Sequence, residues 1–171
     1  MDFSLLLRPK PPWLNLLVAP EPDVCALLTA LPDGTVSRLI RGHKARTTAA
    51  LFDEFAAALQ FPCYFGENWD AFDECITDLA WLPANAYVIL IVRSIHVLDK
   101  EPADRLQLFL KTVQNAGEEW SNPAPHASRP PRAFRVLFQC DSGHEAVLNA
   151  KLSAGGVAFD VLRPVDLGVH N

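Results

Sequence analysis

The sequence predicts an α/β fold in which a single layer of mainly parallel strands is flanked by helices. Segments with the pattern of strands alternate along the chain with segments with the pattern of helices, an order typical of a parallel sheet. The run "AYVILIVRS" at 86–94 is apolar up to its last two residues, as in a strand buried on both faces. Half of the 171 residues are apolar, which allows a sizeable core. We therefore expect one domain with extensions at both ends.

The first of these extensions, over 1–34, is expected to be a strand and a helix packed on the core. The segment "WLNLLVA" at 13–19 has the composition of a short buried strand. A helix with Asp23 as its N-cap should follow, because apolar residues recur at helical spacing at Val24, Leu27, Leu28 and Leu31.

The central unit is expected over 35–140. It opens with the strand "TVSRLIRG" at 35–42, entered from an Asp-Gly turn. The segment "TTAALFDEFAAALQF" at 47–61 is rich in alanine and leucine, and Thr47 or Thr48 is available as its cap. Both features predict a helix.

The second half of this unit contains another helix and another strand. The helix begins after Pro102 and is expected to stop near Gly117. The strand "FRVLFQC" follows at 134–140. The loop between them, at 118–133, contains four prolines. A loop of this length is either functional or disordered, and its prolines favour disorder.

The second extension, over 141–171, is expected to be a helix followed by a strand. Ser142 and Glu145 have the spacing of a capping box, which predicts a helix up to about Ala154. The apolar segment "VAFDVL" at 157–162 predicts a last strand.

Composition excludes several classes of function. The formal net charge of −5 and the pI of about 5.5 argue against a nucleic-acid surface, which needs a basic stripe, and favour a basic protein partner. Neither a secretory signal nor a membrane-spanning segment is recognisable, so we expect a cytoplasmic protein. The four cysteines show no zinc or redox spacing and are expected to be buried, reduced thiols: Cys25, Cys63, Cys75 and Cys140.

Nothing in the sequence indicates an enzyme. There is no Gly-rich phosphate loop, no metal motif and no nucleophile–base spacing. The histidines are scattered along the chain, at His43, His96, His126, His144 and His170. We therefore expect no catalytic residue, no metal site and no cofactor.

The distribution of charge is the unusual feature of the chain. The 46 residues between Arg46 and Arg93 contain seven acids and no lysine or arginine. Several of these acids fall on a predicted helix at 69–79, with Asn68 as its cap. Trp69, Phe72, Ile76 and Leu79 would form its buried stripe, whereas Asp70, Asp73 and Glu74 fall on the opposite side, with Asp78 one turn further.

Four interpretations of this acidic side are open. It could be an ordinary solvated surface, a site for a hard cation, a carboxylate pair for hydrolysis, or a plug for a basic cleft. Asp70 and Asp73 favour the helix dipole, but like charges one turn apart, such as Asp70 and Glu74, cost a few tenths of a kcal/mol. The helix gives up stability to remain acidic, which suggests a use for its field. Tyr64, a residue type favoured at interfaces, is expected within reach of the same surface.

The segment "PCYFGENWDAFDE" at 62–74 resembles the binding loop and second helix of the barstar family, intracellular inhibitors of small secreted ribonucleases of the barnase type. The family pattern is Pro-x-Tyr-[Tyr/Phe]-Gly-Glu-Asn-x-Asp-Ala, followed by further acids. The match is dense over 61–78, and the order of elements supports it more loosely over 35–140. The resemblance implies a barstar-like fold with added N- and C-terminal elements.

It also implies functions for individual residues. Tyr64 falls on an aromatic contact of the family, and Asp70 falls on an acid that meets the basic cleft of the enzyme. Glu74 falls where the family has an aspartate in the substrate-phosphate site; it keeps the charge but is one methylene longer. The partner-binding residues implied are Tyr64, Asn68, Trp69, Asp70, Asp73 and Glu74.

Two departures from the family pattern leave the target open. Asp73 adds a charge where the family's best-known member has tryptophan, and Thr112 stands near the position of a further contacting glutamate. The leading hypothesis is a non-enzymatic inhibitor, or immunity protein, of a barnase-type ribonuclease, in which the acidic helix mimics RNA phosphates. The alternative is a barstar-like binding module for another basic protein, without ribonuclease inhibition.

Overall fold

The protein folds around one five-stranded sheet in which every strand pair is parallel. The computed structural model describes residues 2–125 and 127–168. The strands are β1 (Leu14–Val18), β2 (Thr35–Arg41), β3 (Ala86–Val92), β4 (Ala133–Cys140) and β5 (Phe159–Leu162). Their spatial order is β2-β3-β4-β1-β5. The predicted α/β class with a mainly parallel sheet is confirmed.

Helices cover both faces of this sheet. They are α1 (Ser4–Leu7), α2 (Glu21–Thr29), α3 (Thr48–Leu59), α4 (Trp69–Asp78), α5 (Ala103–Ser121) and α6 (Glu145–Ala154). The helices α3 to α6 share one hydrophobic core with one face of the sheet. The opposite face packs against α1, α2 and the 3-10 turn Pro164–Leu167. Because both faces are covered, all residues of β3 are buried, as its apolar run predicts.

The N-terminal segment contributes an inner strand. β1 pairs with β4 on one side and with β5 on the other, both in parallel register. β5 is joined to this sheet through β1. The first and last parts of the chain therefore belong to the same sheet as the central unit. The division into 1–34, 35–140 and 141–171 stays a prediction.

Three helix ends differ from the sequence prediction. α2 begins at Glu21 and not at Asp23, since Pro22 is well suited to the first turn of a helix, where no N–H is needed. At 142–144 the chain forms a 3-10 turn, and α6 begins without the predicted capping box. The third difference, at the end of α5, affects the candidate site.

The helix α5 runs through Gly117 to Ser121. A Cβ atom on Gly117 would lie 2.5 Å from the Cβ of Trp13, so this glycine allows close packing of the helix against the start of β1 and does not end it. The Pro-rich loop therefore begins at Asn122. At the end of this loop the backbone N–H of Arg132 donates to the carbonyl of Trp120 at 2.9 Å, and the disorder that the prolines favour stays a prediction.

Arg135 of β4 holds the N-terminal segment against the sheet. It is 1% exposed, and burial lowers its pKa to about 10. The guanidinium forms no ion pair within the described residues. Instead it donates to four backbone carbonyls, those of Leu6, Arg8, Lys10 and Pro12. One buried cation thus provides hydrogen-bond donors for four carbonyls of the segment at 6–12, which has little regular structure of its own.

The four cysteines differ in their exposure. All four cysteines are free thiols; Cys75 and Cys140 are buried, but Cys25 and Cys63 are exposed, so the expectation of burial is wrong for these two. No helix among residues 2–125 and 127–168 is both long and apolar enough to cross a membrane.

Candidate protein-binding site

The acidic helix α4 begins with a well-formed cap. The side-chain oxygen of Asn68 accepts a hydrogen bond from the backbone N–H of Ala71 at 2.9 Å, as its sequence position predicts. Its amide nitrogen donates to the carbonyl of Gly66 at 3.2 Å. The cap therefore joins the preceding loop to the first turn of α4 and fixes where the helix starts.

The inner side of α4 rests on an aromatic cluster. Phe72 and Ile76 are fully buried, and so is Leu79 just beyond the helix end. Trp69 is half-buried at the start of the helix, where its ring lies edge-on to Phe52 with 5.0 Å between centroids. The predicted stripe is therefore present, and the apolar packing beneath α4 holds its outer side in a fixed orientation.

The outer side of α4 carries Asp70, Asp73 and Glu74, which we call the acidic face. All three residues are exposed. Within the part of the chain that the structure describes, none of their carboxylates forms an ion pair or accepts a hydrogen bond. The acidic face therefore presents three negative charges to solvent with no basic partner from its own chain.

Neighbouring carboxylates contribute to raised pKa values at Asp73, in the acidic face, and at Tyr64. Partial desolvation, together with the carboxylates of Glu119 and Asp70, raises the pKa of Asp73. Tyr64 is 70% exposed, and its pKa is raised by local desolvation and by nearby charges that include Asp78 and Glu74. Tyr64 thus lies beside the second half of α4, on the same surface.

Asp73→Asn is expected to stabilise the protein at pH 7 by about 0.2–0.5 kcal/mol, because it removes like-charge repulsion on the helix. Because the pKa of Asp73 is raised in the folded state, its ionised carboxylate lowers the free energy of unfolding at pH values above that pKa. This loss disappears as the pH falls toward 3.8, the ordinary pKa of an aspartate, since the carboxyl then becomes protonated. The gain from Asp73→Asn should therefore be smaller at pH 4.5 than at pH 7. Urea unfolding at both pH values measures it, with Asp53→Asn as the control. A loss of stability at pH 7 would contradict the repulsion.

Two residues beyond α4 belong to this surface and are not found from the sequence. Glu119, near the end of α5, has a side chain that is 57% exposed and extends the acids beyond α4. Arg129, from the Pro-rich loop, lies with its guanidinium carbon 3.8 Å from the ring centroid of Trp120. The expected helix end at Gly117 assigns Glu119 to a loop, so no sequence signal places it beside α4.

Arg129 and Trp120 also complete the C-terminal end of α4. A guanidinium nitrogen of Arg129 donates to the carbonyl of Thr77 at 2.6 Å, and the indole N–H of Trp120 donates to that of Ile76 at 2.8 Å. The last carbonyls of a helix have no partner within the helix, so these two donors satisfy acceptors that would otherwise need water. A second guanidinium nitrogen of Arg129 donates to Glu119 at 3.5 Å, which makes a long ion pair.

A groove of about 580 Å³ separates α4 from the Pro-rich loop. Glu74 and Asp78 line it from α4, Glu119 lines it from α5, and Ser128 and Arg129 line it from the loop. Glu74 is therefore the residue of the acidic face that lines this groove, and Arg129 is the single cation among the described lining residues.

A comparison with protein-family models decides the family. The model described as "Barstar (barnase inhibitor)" matches residues 36–139, which is more than half of the chain. This chain belongs to the barstar family. The match runs from β2 to β4 and includes the whole of α4. β1, α2, α6 and β5 lie outside it.

Other comparisons add little to the barstar assignment. No curated protein matches the chain. One solved structure, described as "Structure of Drosophila ORC bound to AT-rich DNA and Cdc6", is similar with a TM-score of 0.49 and 11% sequence identity. The alignment covers 88% of this chain and 47% of that chain, so our chain spans about half the length of the chain it matches.

Thr112 proves not to be part of the barstar-type surface. It is only 7% exposed, and its hydroxyl donates to the carbonyl of Leu108 at 2.8 Å within α5. The departure from the family pattern at this position therefore lies inside the fold and not on the acidic face. Of the residues on α5, Glu119 is the acid that lies next to the acidic face.

The fold brings two of the described histidines together, because His96 and His144 line one small pocket with Arg93 and Asp141. His43, His96 and His144 follow three different strands. His126 and His170 lie outside the described residues. Over residues 2–125 and 127–168, no three histidine, cysteine, aspartate or glutamate side chains are placed to hold a metal ion.

Proposed function

We propose that this barstar-family protein is a non-enzymatic inhibitor, or immunity protein, of a barnase-type ribonuclease. The acidic face enters the basic active site of the enzyme, where its carboxylates take the places of RNA phosphates. The observation that supports this proposal is that Asp70, Asp73 and Glu74 are exposed together with no basic partner among the described residues. Such an inhibitor acts in the cytoplasm, before the ribonuclease is secreted.

The charges support both attraction and selectivity. Carboxylates that are not neutralised within their own chain produce a negative potential, which steers a basic partner toward the surface and speeds association. A basic active site meets these carboxylates with lysine, arginine or histidine side chains, whereas an acidic or neutral cleft would gain nothing from them. Glu119 extends the acids beyond α4, with its charge partly offset by an ion pair with Arg129 at 3.5 Å.

The fold supports preorganisation of the acidic face. Asn68 fixes the start of α4, the aromatic cluster holds its inner side, and Trp120 and Arg129 bind its last carbonyls. Because the backbone of the site is ordered before binding, little loop entropy is lost on association. Tyr64 and Trp69 add aromatic surface beside the charges, and aromatic residues of this kind are enriched in interfaces.

An RNA-cleavage assay tests the proposal. The full chain is mixed with a barnase-type ribonuclease at increasing ratios, and cleavage of a fluorogenic RNA is followed. We expect cleavage to fall toward zero as the protein reaches equimolar concentration, and we expect no cleavage by the protein alone. Asp104→Asn is the matched control: it lies 15 residues before Glu119 on α5, about 22 Å along the helix, and should inhibit like the native chain.

Undiminished cleavage at a large excess of the native protein would overturn ribonuclease inhibition. Co-purification from the source cell would then show whether the acidic face binds a different basic protein, which is the alternative raised by the sequence. Turnover of RNA by the protein alone would contradict the non-enzymatic assignment.

A further inference from the structure

A second concave site lies away from the acidic face, between the first turn of α5, α6 and the segment that follows β3. It is a pocket of about 400 Å³, within the size range of small-molecule sites. Its lining is largely apolar, from Ile95, Leu98, Ala103, Leu106 and Ala154. α6 lies outside the residues that match the barstar family, so this pocket depends on an added element.

Lys151 of α6 is the cation in this pocket. It is half-buried, and its ammonium donates to the carbonyls of Ile95 at 2.9 Å and Val97 at 2.6 Å. A lysine ammonium has three donors, so one N–H remains after these two bonds. Burial lowers the pKa of Lys151, as expected for a charge that is partly withdrawn from water.

No carboxylate among the described residues forms an ion pair with Lys151. The two acids at the rim of the pocket are engaged elsewhere. Asp99 accepts two hydrogen bonds of 2.7 Å from Arg46, and Glu101 accepts one from the backbone N–H of Thr48 at the start of α3. Lys151 is therefore a partly buried cation without an ion-pair partner; the nearby charge of Asp99 favours its charged form and raises its pKa, against the larger effect of burial.

The start of α5 adds positive potential at the same place. Ala103, the first residue of this 19-residue helix, lines the pocket, and the preceding Pro102 provides no side-chain cap. The first N–H groups of an uncapped helix and its dipole both favour an anion. Asp104 in the first turn offsets part of this potential, but Lys151 remains without an ion-pair partner in the described part of the chain.

We propose that this pocket binds a small amphipathic carboxylate, with its anionic group against Lys151 and the start of α5 and its hydrocarbon chain along the apolar lining. A carboxylate accepts the remaining N–H of Lys151 and matches its charge. The chain removes apolar surface of Leu106 and its neighbours from water. A fully polar anion would leave this apolar lining exposed, and a neutral hydrocarbon would leave the cation without an ion pair.

Octanoate and octanol are the probes that test this proposal, because they share a chain length and differ in charge. Each is titrated into the full-length protein and followed by two-dimensional NMR of the backbone amides. We expect saturable shifts at residues around Lys151 with octanoate, and binding of octanol weaker by about tenfold or more, the scale of one charge-assisted hydrogen bond. Equal affinity for the two probes, or no saturable shift with octanoate, would overturn the proposal.

Two variants and a control locate the site. Lys151→Met keeps the length of the side chain and removes its charge, and should weaken octanoate binding by about tenfold or more. Ala154→Leu places a larger side chain at the pocket wall and should block both probes while keeping Lys151. Lys111→Met, at an exposed position on α5, should bind octanoate like the native chain.

Unchanged octanoate binding in both Lys151→Met and Ala154→Leu would overturn the site. If Lys151→Met does not fold because the carbonyls of Ile95 and Val97 lose their donor, Ala154→Leu decides alone. This test is independent of ribonuclease inhibition: the pocket surrounds the start of α5, whereas Glu119 lies near its end, and either proposal can fail without the other.

Discussion

Glu74→Ala and Asp70→Ala are each expected to raise the concentration needed for half-inhibition of a barnase-type ribonuclease by about 30-fold or more, the scale of an interface hot spot of about 2 kcal/mol. Both residues belong to the acidic face, are exposed and have no partner within the described part of their own chain. Truncation would therefore leave a basic group of the enzyme buried and unpaired in the complex, which costs more than the lost contact itself.

Conservative variants separate charge from shape at position 74. Glu74→Gln keeps the side-chain length and should lose most of the inhibition, because the partner needs the charge. Glu74→Asp keeps the charge but shortens the reach by one methylene, and the change in half-inhibition shows whether the longer side chain suits this target. Native-like inhibition by Glu74→Gln would contradict phosphate mimicry.

Arg135→Ala is expected to lower the free energy of unfolding by about 3 kcal/mol or more, because each buried acceptor left without a donor costs about 1–3 kcal/mol. The variant would leave the carbonyls of Leu6, Arg8, Lys10 and Pro12 without their donor. Loss of the buried charge offsets part of this cost, since burial already lowers the pKa of Arg135 to about 10, but four unsatisfied acceptors outweigh it.

Urea unfolding followed by circular dichroism measures this effect. Arg105→Ala is the control, because Arg105 is exposed on α5 and its side chain donates no hydrogen bond to the residues that the structure describes. Its replacement should change stability by less than about 0.5 kcal/mol. A change of less than about 1 kcal/mol in Arg135→Ala would show that the N-terminal segment does not depend on this cation.

The parts of the fold that depend on local pattern could be predicted from the sequence. The order of strands and helices, the caps at Thr47 and Asn68, and the buried stripe of α4 follow from spacing and composition. The acidic face follows from the same spacing, because residues three and four apart share one side of a helix. The family motif covers this part of the chain as well.

The parts that depend on contacts between distant segments could not be predicted. Gly117 has the identity of a helix terminator, but Trp13, more than 100 residues earlier, makes it a packing position. From that one error follow the wrong start of the Pro-rich loop and the omission of Glu119 from the surface, whereas Arg129 is placed there only by its contacts with Trp120 and Thr77. Lys151 was missed as well, since only the fold brings it beside Ile95 and Val97.

Competition with RNA tests most directly whether the acidic face stands in for phosphates. The native chain is bound to a catalytically inactive barnase-type ribonuclease, and a short RNA oligonucleotide is added at low and at high salt. We predict that RNA displaces the protein competitively and that higher salt slows association, because charges at the same cleft attract both ligands. Equal affinity of the protein for free and RNA-saturated enzyme would contradict the account.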